Sequence, residues 1–165
     1  MTGAGSIPET PDSDHAGVRL PPPLVYIGLI AVGALLDGFV APLPLPGPFG
    51  VRLALTILTG VLGLAFMVGA AVLFRRTGQA PEPWTPTPTV ISSGVYAHTR
   101  NPMYVSMALL QASIGFGWGK VWIVGLVPLA LAIVYYTAVR PEEAYLERKF
   151  GNAYLDYKEG VRRWL

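Results

Sequence analysis

The feature that most constrains this chain is a run of 22 residues, Leu53 to Phe74, without one charged side chain. In an α-helix such a run is about 33 Å long, enough to cross a hydrocarbon core of roughly 30 Å. Three further apolar stretches accompany it. Leu24 to Ala41 contains a single charge, Asp37, while Val121 to Val139 is 19 residues long and uncharged. Met103 to Trp118, at 16 residues, is short for a span and is expected as a tilted or partly embedded helix. Charged residues make up only 13% of the chain, about half the share usual in soluble domains, so neither a soluble globule nor a disordered chain fits. The expected fold is an all-α integral membrane protein of about four transmembrane helices. The third and fourth form a helical hairpin through Gly115-Phe116-Gly117-Trp118-Gly119, with Trp118 and Trp122 at interface depth.

Basic residues orient this arrangement. Four spans place both termini on one side, with Arg19, Arg75, Arg76, Arg100, Arg140, Arg148, Lys149, Lys158, Arg162 and Arg163, and leave only Arg52 and Lys120 on the other. That asymmetry makes the Arg75–Asn101 loop and the C-terminal helical segment cytoplasmic. The expected organisation is a disordered cytoplasmic tail over 1–23, two transmembrane helices over 24–74 and a catalytic region over 75–165. Asp37, a carboxylate within a span, is a functional candidate, although nearby Gly38 and Pro42 put it close to the outer interface. Gly60, Gly63, Ala65 and Gly69 suit close helix packing, within the chain rather than between copies.

The chain has no Cys and two His, which removes thiolate chemistry and leaves no metal-ligand pattern. No P-loop or GxGxxG is present, so no soluble nucleotide fold is signalled. Polar chemistry concentrates in two blocks. In the first, Pro81, Pro83, Pro86 and Pro88 prevent a continuous helix, and Asn101-Pro102 reads as the N-cap and first turn of the third helix. In the second, Arg140-Pro141-Glu142-Glu143 reads as the opening of a new helix. Gly151 reads as its stop, and Asn152 as the cap of a last helix. Tyr154, Tyr157 and Trp164 beside Lys158, Arg162 and Arg163 suggest an interfacial segment that meets phosphate headgroups rather than nucleic acid.

These blocks, Gly94-Val95-Tyr96…Arg100-Asn101-Pro102-Met103-Tyr104 and, about forty residues later, Glu142-Glu143, Leu146, Phe150-Gly151, Tyr154 and Tyr157, carry a resemblance. In order and spacing the chain resembles the isoprenylcysteine carboxyl methyltransferase family, integral-membrane enzymes related to the phospholipid methyltransferases, over about residues 75–162. The resemblance implies S-adenosylmethionine as cofactor and a lipid or lipophilic small-molecule acceptor, a carboxyl O-methyltransferase being one form of this. By position it implies cofactor contacts at Pro88, Thr89, Val90, Ile91, Tyr96, Asn101, Pro102, Met103, Tyr104 and Glu142, and it makes Arg100 and Glu143 the catalytic candidates. A sulfonium is a cation, which a carboxylate and aromatic faces stabilise. The implied setting is a bacterial plasma membrane with the active site facing the cytoplasm.

The chain departs from the family pattern at three positions. Asn101 replaces the familiar His, Ser106 stands where a Gly often follows the Tyr, and Ala138 stands where eukaryotic members carry an acceptor-binding Arg. Asn cannot act as a base near neutral pH, which leaves Glu143, His98, Tyr104 or water where an acceptor must lose a proton. Two other functions remain open. One is an NADPH-dependent membrane reductase of the sterol-reductase type, whose relatives usually carry Asn before the Tyr and Gly-Glu after it, where this chain has Met103 and Val105-Ser106. The other is a non-enzymatic membrane scaffold, against which Arg100, Tyr104, Glu142 and Glu143 occur together.

Overall fold

The computed structural model describes residues 16–18, 20–78 and 87–165. The described residues are helical and contain no strand; one isolated antiparallel bridge joins Pro44 to Lys120. Helix α1, Pro22–Leu35, continues through a π-helical turn, Leu36–Val40. Helix α2 is Phe49–Thr77 and α3 is Pro102–Trp118. The last long apolar segment comprises α4, Val121–Gly125, α5, Val127–Val134, a second π-helical turn, Tyr135–Val139, and α6, Arg140–Phe150. Helix α7, Asn152–Gly160, follows with Gly151 at its N-cap, so Asn152 is its first helical residue rather than its cap.

Three segments are long and apolar enough to cross a membrane: Pro22–Val40, Phe49–Thr77 and Val121–Phe150. The fourth expected span, α3, is not among them. At 17 residues α3 is about 26 Å long, shorter than the hydrocarbon core. It nevertheless runs between the same two ends of the bundle as its neighbours. Near its start, the Tyr26 hydroxyl of α1 donates to the Tyr104 carbonyl at 3.0 Å. Just past its end, Lys120 pairs with Asp37 of the first π turn. Helix α2 lies antiparallel to α3. Ser113 Oγ donates to the Thr56 carbonyl at 2.8 Å near one end, and Ser106 lies against Met67 near the other.

Small residues permit this approach. A Cβ on Gly63 would lie 3.0 Å from Leu110, and one on Gly69 would lie 2.6 Å from Val95, so both face the interior as the sequence suggested. Ala65 does not; it is exposed among the apolar side chains of the outer face of α2. The turn after α3 needs Gly119, with φ +65°, and an added Cβ there would strike Arg52.

Arg140 and Pro141 do not open a new helix. Val139 is helical, and the chain passes from α5 into α6 through the π turn. Proline cannot donate to the preceding turn, and its ring crowds the carbonyl four residues back; a widened turn absorbs both effects. The continuous segment is 30 residues, about 45 Å. About twenty residues suffice for the hydrocarbon core, so a core that begins at Val121 leaves Glu142 and Glu143 just beyond its far edge.

The packed chain also reaches back before Leu24. Ala16 is buried and Val18 packs against the core formed by Val25, Tyr26, Val134 and Ala138. The remainder of the expected tail, residues 1–15 and 19, lies outside the described residues, as do Pro81, Pro83 and Pro86.

Candidate active site

Tyr104 lies in the first turn of α3 and Glu142 in the first turn of α6. The Tyr104 hydroxyl donates to Glu142 Oε1 at 2.5 Å, joining the two sequence blocks across 38 positions. Among the described residues Glu142 forms no ion pair. Tyr96, on the 3₁₀ turn Gly94–Ala97, stacks on Phe74 with ring centroids 6.0 Å apart. Burial pushes its hydroxyl above the ordinary tyrosine range, and the nearby charges of Glu142 and then Tyr157 push it the same way. Burial likewise raises Tyr154 to about 12, with Glu143 adding to the shift. Both hydroxyls therefore stay protonated at neutral pH and remain donors.

Of the expected cofactor loop, Ile91 is buried, Val90 is half-buried, and Pro88 and Thr89 are exposed. One residue earlier, the Thr87 N–H donates to the Tyr145 hydroxyl of α6 at 3.3 Å, which ties the loop to the same helix that carries Glu142. Pro102 is fully buried at the start of α3. Met103 is half-buried, and its carbonyl accepts from Ser106 Oγ at 2.7 Å. The departure at Ser106 is thus accommodated by a bond within its own helix.

Asn101 occupies the N-cap position, but its side chain makes no capping bond. Its amide instead donates to the Arg163 carbonyl at 3.1 Å. Thr99 Oγ1 donates to the same carbonyl at 2.9 Å, and the Arg100 N–H donates to the Arg162 carbonyl at 2.9 Å. The segment after α7 therefore docks on the first motif.

Arg100 and Glu143 are brought together. Arg100 Nη1 lies 3.3 Å from Glu143 Oε1, and both side chains are almost wholly buried. Arg163 closes on the other side of the same carboxylate, with Nε and Nη2 each donating at 2.9 Å. The bond to Glu143 holds the Arg163 guanidinium above its usual range, burial opposing. His98 is exposed.

Two parts of the sequence reading need adjustment. The last helix does not simply face headgroups: Tyr154 is buried, and the Tyr157 hydroxyl donates to the Tyr96 carbonyl at 2.8 Å. Asp37 is also accounted for structurally, since the Lys120 ammonium and the Leu43 N–H hold its two oxygens. Sequence reasoning missed Tyr26 and did not assign Arg163 to the site. For Tyr26 a signal existed, because it is the only side chain in α1 that carries a polar atom.

The profile of the phospholipid methyltransferase family matches residues 51–153, which spans α2, the first motif, the hairpin, α6 and the start of α7. The chain belongs to the phospholipid methyltransferase family. This family comprises integral-membrane methyltransferases related to the isoprenylcysteine carboxyl methyltransferases, in agreement with the resemblance drawn from the two blocks. At the family level the protein is a membrane methyltransferase, and its three long apolar helices make it an integral membrane protein. An uncharacterized protein of Haemophilus influenzae is 42% identical over 65 residues, which is 38% of this chain and 100% of that protein. No solved structure matches.

Proposed function

We propose that this phospholipid methyltransferase family member uses S-adenosylmethionine to methylate a lipid or lipophilic acceptor. Its chemistry lies at the end of the bundle that holds Tyr96, Tyr104 and Glu142. One observation carries the reading: the Glu142 carboxylate is held by a neutral hydroxyl, among tyrosines, with no cationic partner among the described residues. A carboxylate so placed favours a cationic guest, and the sulfonium and ammonium groups of S-adenosylmethionine are cations. The residues present therefore fit that group.

Glu142, Tyr104 and Tyr96 would hold its charged part, and the loop Pro88–Ile91 would meet its adenine through backbone groups. Pro102 and Met103 shape the wall at the start of α3. When bound, S-adenosylmethionine supplies an electrophilic methyl group. The chain contributes alignment and exclusion of water, and alignment alone can supply several kcal/mol of the acceleration, with about 7–11 as the upper range. Arg100 and Glu143 face one another, so we assign them to holding α6 against the first motif rather than to proton transfer. Arg52 and Lys120 lie at the opposite end of the bundle, which favours a cytoplasmic active site in a bacterial plasma membrane with α3 as a fourth crossing.

Calorimetric titration of the detergent-purified protein with S-adenosylhomocysteine, with NADPH in parallel, tests this. Saturable binding of S-adenosylhomocysteine alone is expected. Glu142→Gln should weaken that binding about tenfold or more at an unchanged melting temperature, because a bond to a charged group is worth about 1.5–3 kcal/mol. Binding of NADPH alone would put a reductase in its place, and binding of neither by folded protein would overturn the reading.

A further inference from the structure

The pair Tyr104–Glu142 joins two helices that do not pack along each other. Among the described helices α6 packs closely only with the π turn before it and with α7. Helix-to-helix packing therefore does not fix the register of Glu142 against Tyr104. Something else must hold the first turn of α6 over the start of α3.

Beside the Arg100–Glu143 pair, Arg163 makes that connection through both its side chain and its backbone. The Arg163 side chain grips both oxygens of Glu143, the neighbour of Glu142, in a two-pronged fork. Its backbone carbonyl receives bonds from Thr99 and Asn101, which lead directly into α3. Its guanidinium also lies 5.0 Å from the centroid of the Tyr135 ring, on the π turn that feeds α6. Beside it Trp164 packs against the core that includes Tyr26 and Ala138. A planar fork on a buried carboxylate restricts rotation and translation together, which a lysine at the same place would not do.

We infer that Arg163 is a positioning residue for methyl transfer: by locking Glu143 to the Thr99–Asn101 turn, it sets Glu142 against Tyr104 at the geometry that receives the cofactor. This rests on the function proposed above. Among the described residues no hydrogen bond or ion pair joins Arg163 to Glu142 or Tyr104, so it acts through the α6 backbone. Neighbouring residues on a helix are about 100° apart, so a shift of Glu143 carries Glu142 with it.

The test is a double-mutant cycle read as S-adenosylhomocysteine affinity in detergent-purified protein, with melting temperature as a control. Arg163→Gln should weaken binding about fivefold or more, and Arg163→Lys should weaken it less. Glu142→Gln combined with Arg163→Gln should bind no more weakly than Glu142→Gln alone, because Arg163 acts through Glu142. Independent, multiplying losses would assign Arg163 to general stability and overturn the inference, as would wild-type affinity in Arg163→Gln. If Arg163→Gln fails to fold, Thr99→Val removes one anchor of the Arg163 carbonyl and leaves every charge in place. It should lower affinity about twofold, with the same dependence on Glu142, and an unchanged affinity would then overturn the inference. Failure of the wild-type protein to bind S-adenosylhomocysteine would instead reject the proposed function itself.

Discussion

Each end of the bundle buries acidic side chains, and the two ends use them differently. At one end Asp37 is 5% exposed and is satisfied by the Lys120 ammonium and the Leu43 N–H. Around it the Leu45 N–H donates to the Gly119 carbonyl, the Val121 N–H to the Leu43 carbonyl and the Trp122 indole to the Ala41 carbonyl. These last three bonds tie the loop after α1 to the turn after α3 and the start of α4. At the other end two adjacent carboxylates divide the work: among the described residues Glu143 takes up two guanidinium groups, whereas Glu142 receives only a hydroxyl. A buried acid paired with a cation fixes structure. One held by a neutral donor leaves its field available to a guest, and groups so perturbed cluster at functional sites.

The sharpest way to break this comparison is to remove Asp37. Asp37→Ala leaves Lys120 beside an apolar span and frees the Leu43 N–H. Breaking a fully buried pair costs about 3–5 kcal/mol, but the Lys120 side chain is 39% exposed, so a loss of about 1–3 kcal/mol is expected. Thermal unfolding in detergent should register it as a clear fall in melting temperature. S-adenosylhomocysteine affinity should stay within about twofold of wild type. An affinity loss as large as that of Glu142→Gln would show that the two ends are not independent.

Much of the scaffold was legible because it rests on local signals. Uncharged runs marked the apolar helices, Pro102 marked a helix start, and the Gly115–Gly119 run marked the hairpin turn, whereas Pro22, read as part of the tail, in fact opens α1. The two motif blocks also announced that Tyr104 and Glu142 belong together. The pairings across the chain were less visible. Tyr26 meets Tyr104 across 78 positions, and Lys120 meets Asp37 across 83. No periodicity encodes such contacts; they follow from which helix lies beside which. Pro141 misled for a different reason. A proline after an apolar run ordinarily starts a new helix, but here a π turn lets the helix continue. Basic residues after α7 suggested lipid headgroups, and only the tertiary fold shows that Arg163 turns inward to Glu143 while Arg162 stays exposed.

Within the site, Tyr104→Phe removes the one donor to Glu142 among the described residues and keeps the ring. A hydroxyl bound to a carboxylate is worth more than an ordinary hydrogen bond, so a fall in S-adenosylhomocysteine affinity of about fivefold is expected, with little change in melting temperature. Unaltered affinity would mean that Glu142 is held by its helix alone.

The smallest effect belongs to Tyr26→Phe, and it sharpens where the site stops. The Tyr26 hydroxyl donates to the Tyr104 carbonyl, not to the Tyr104 side chain. That carbonyl sits in the first turn of α3, where the helix ladder also uses it. Losing a neutral bond to an acceptor that keeps another donor should cost about 0.5–1 kcal/mol of stability. The effect on S-adenosylhomocysteine affinity should be twofold at most, because the Tyr104 hydroxyl and Glu142 remain in contact. If Tyr26→Phe lowers affinity as much as Tyr104→Phe, then α1 does more than support α3. The site would then extend across to the first helix, and Tyr26 would join Tyr96 and Tyr104 as part of the aromatic surface around Glu142.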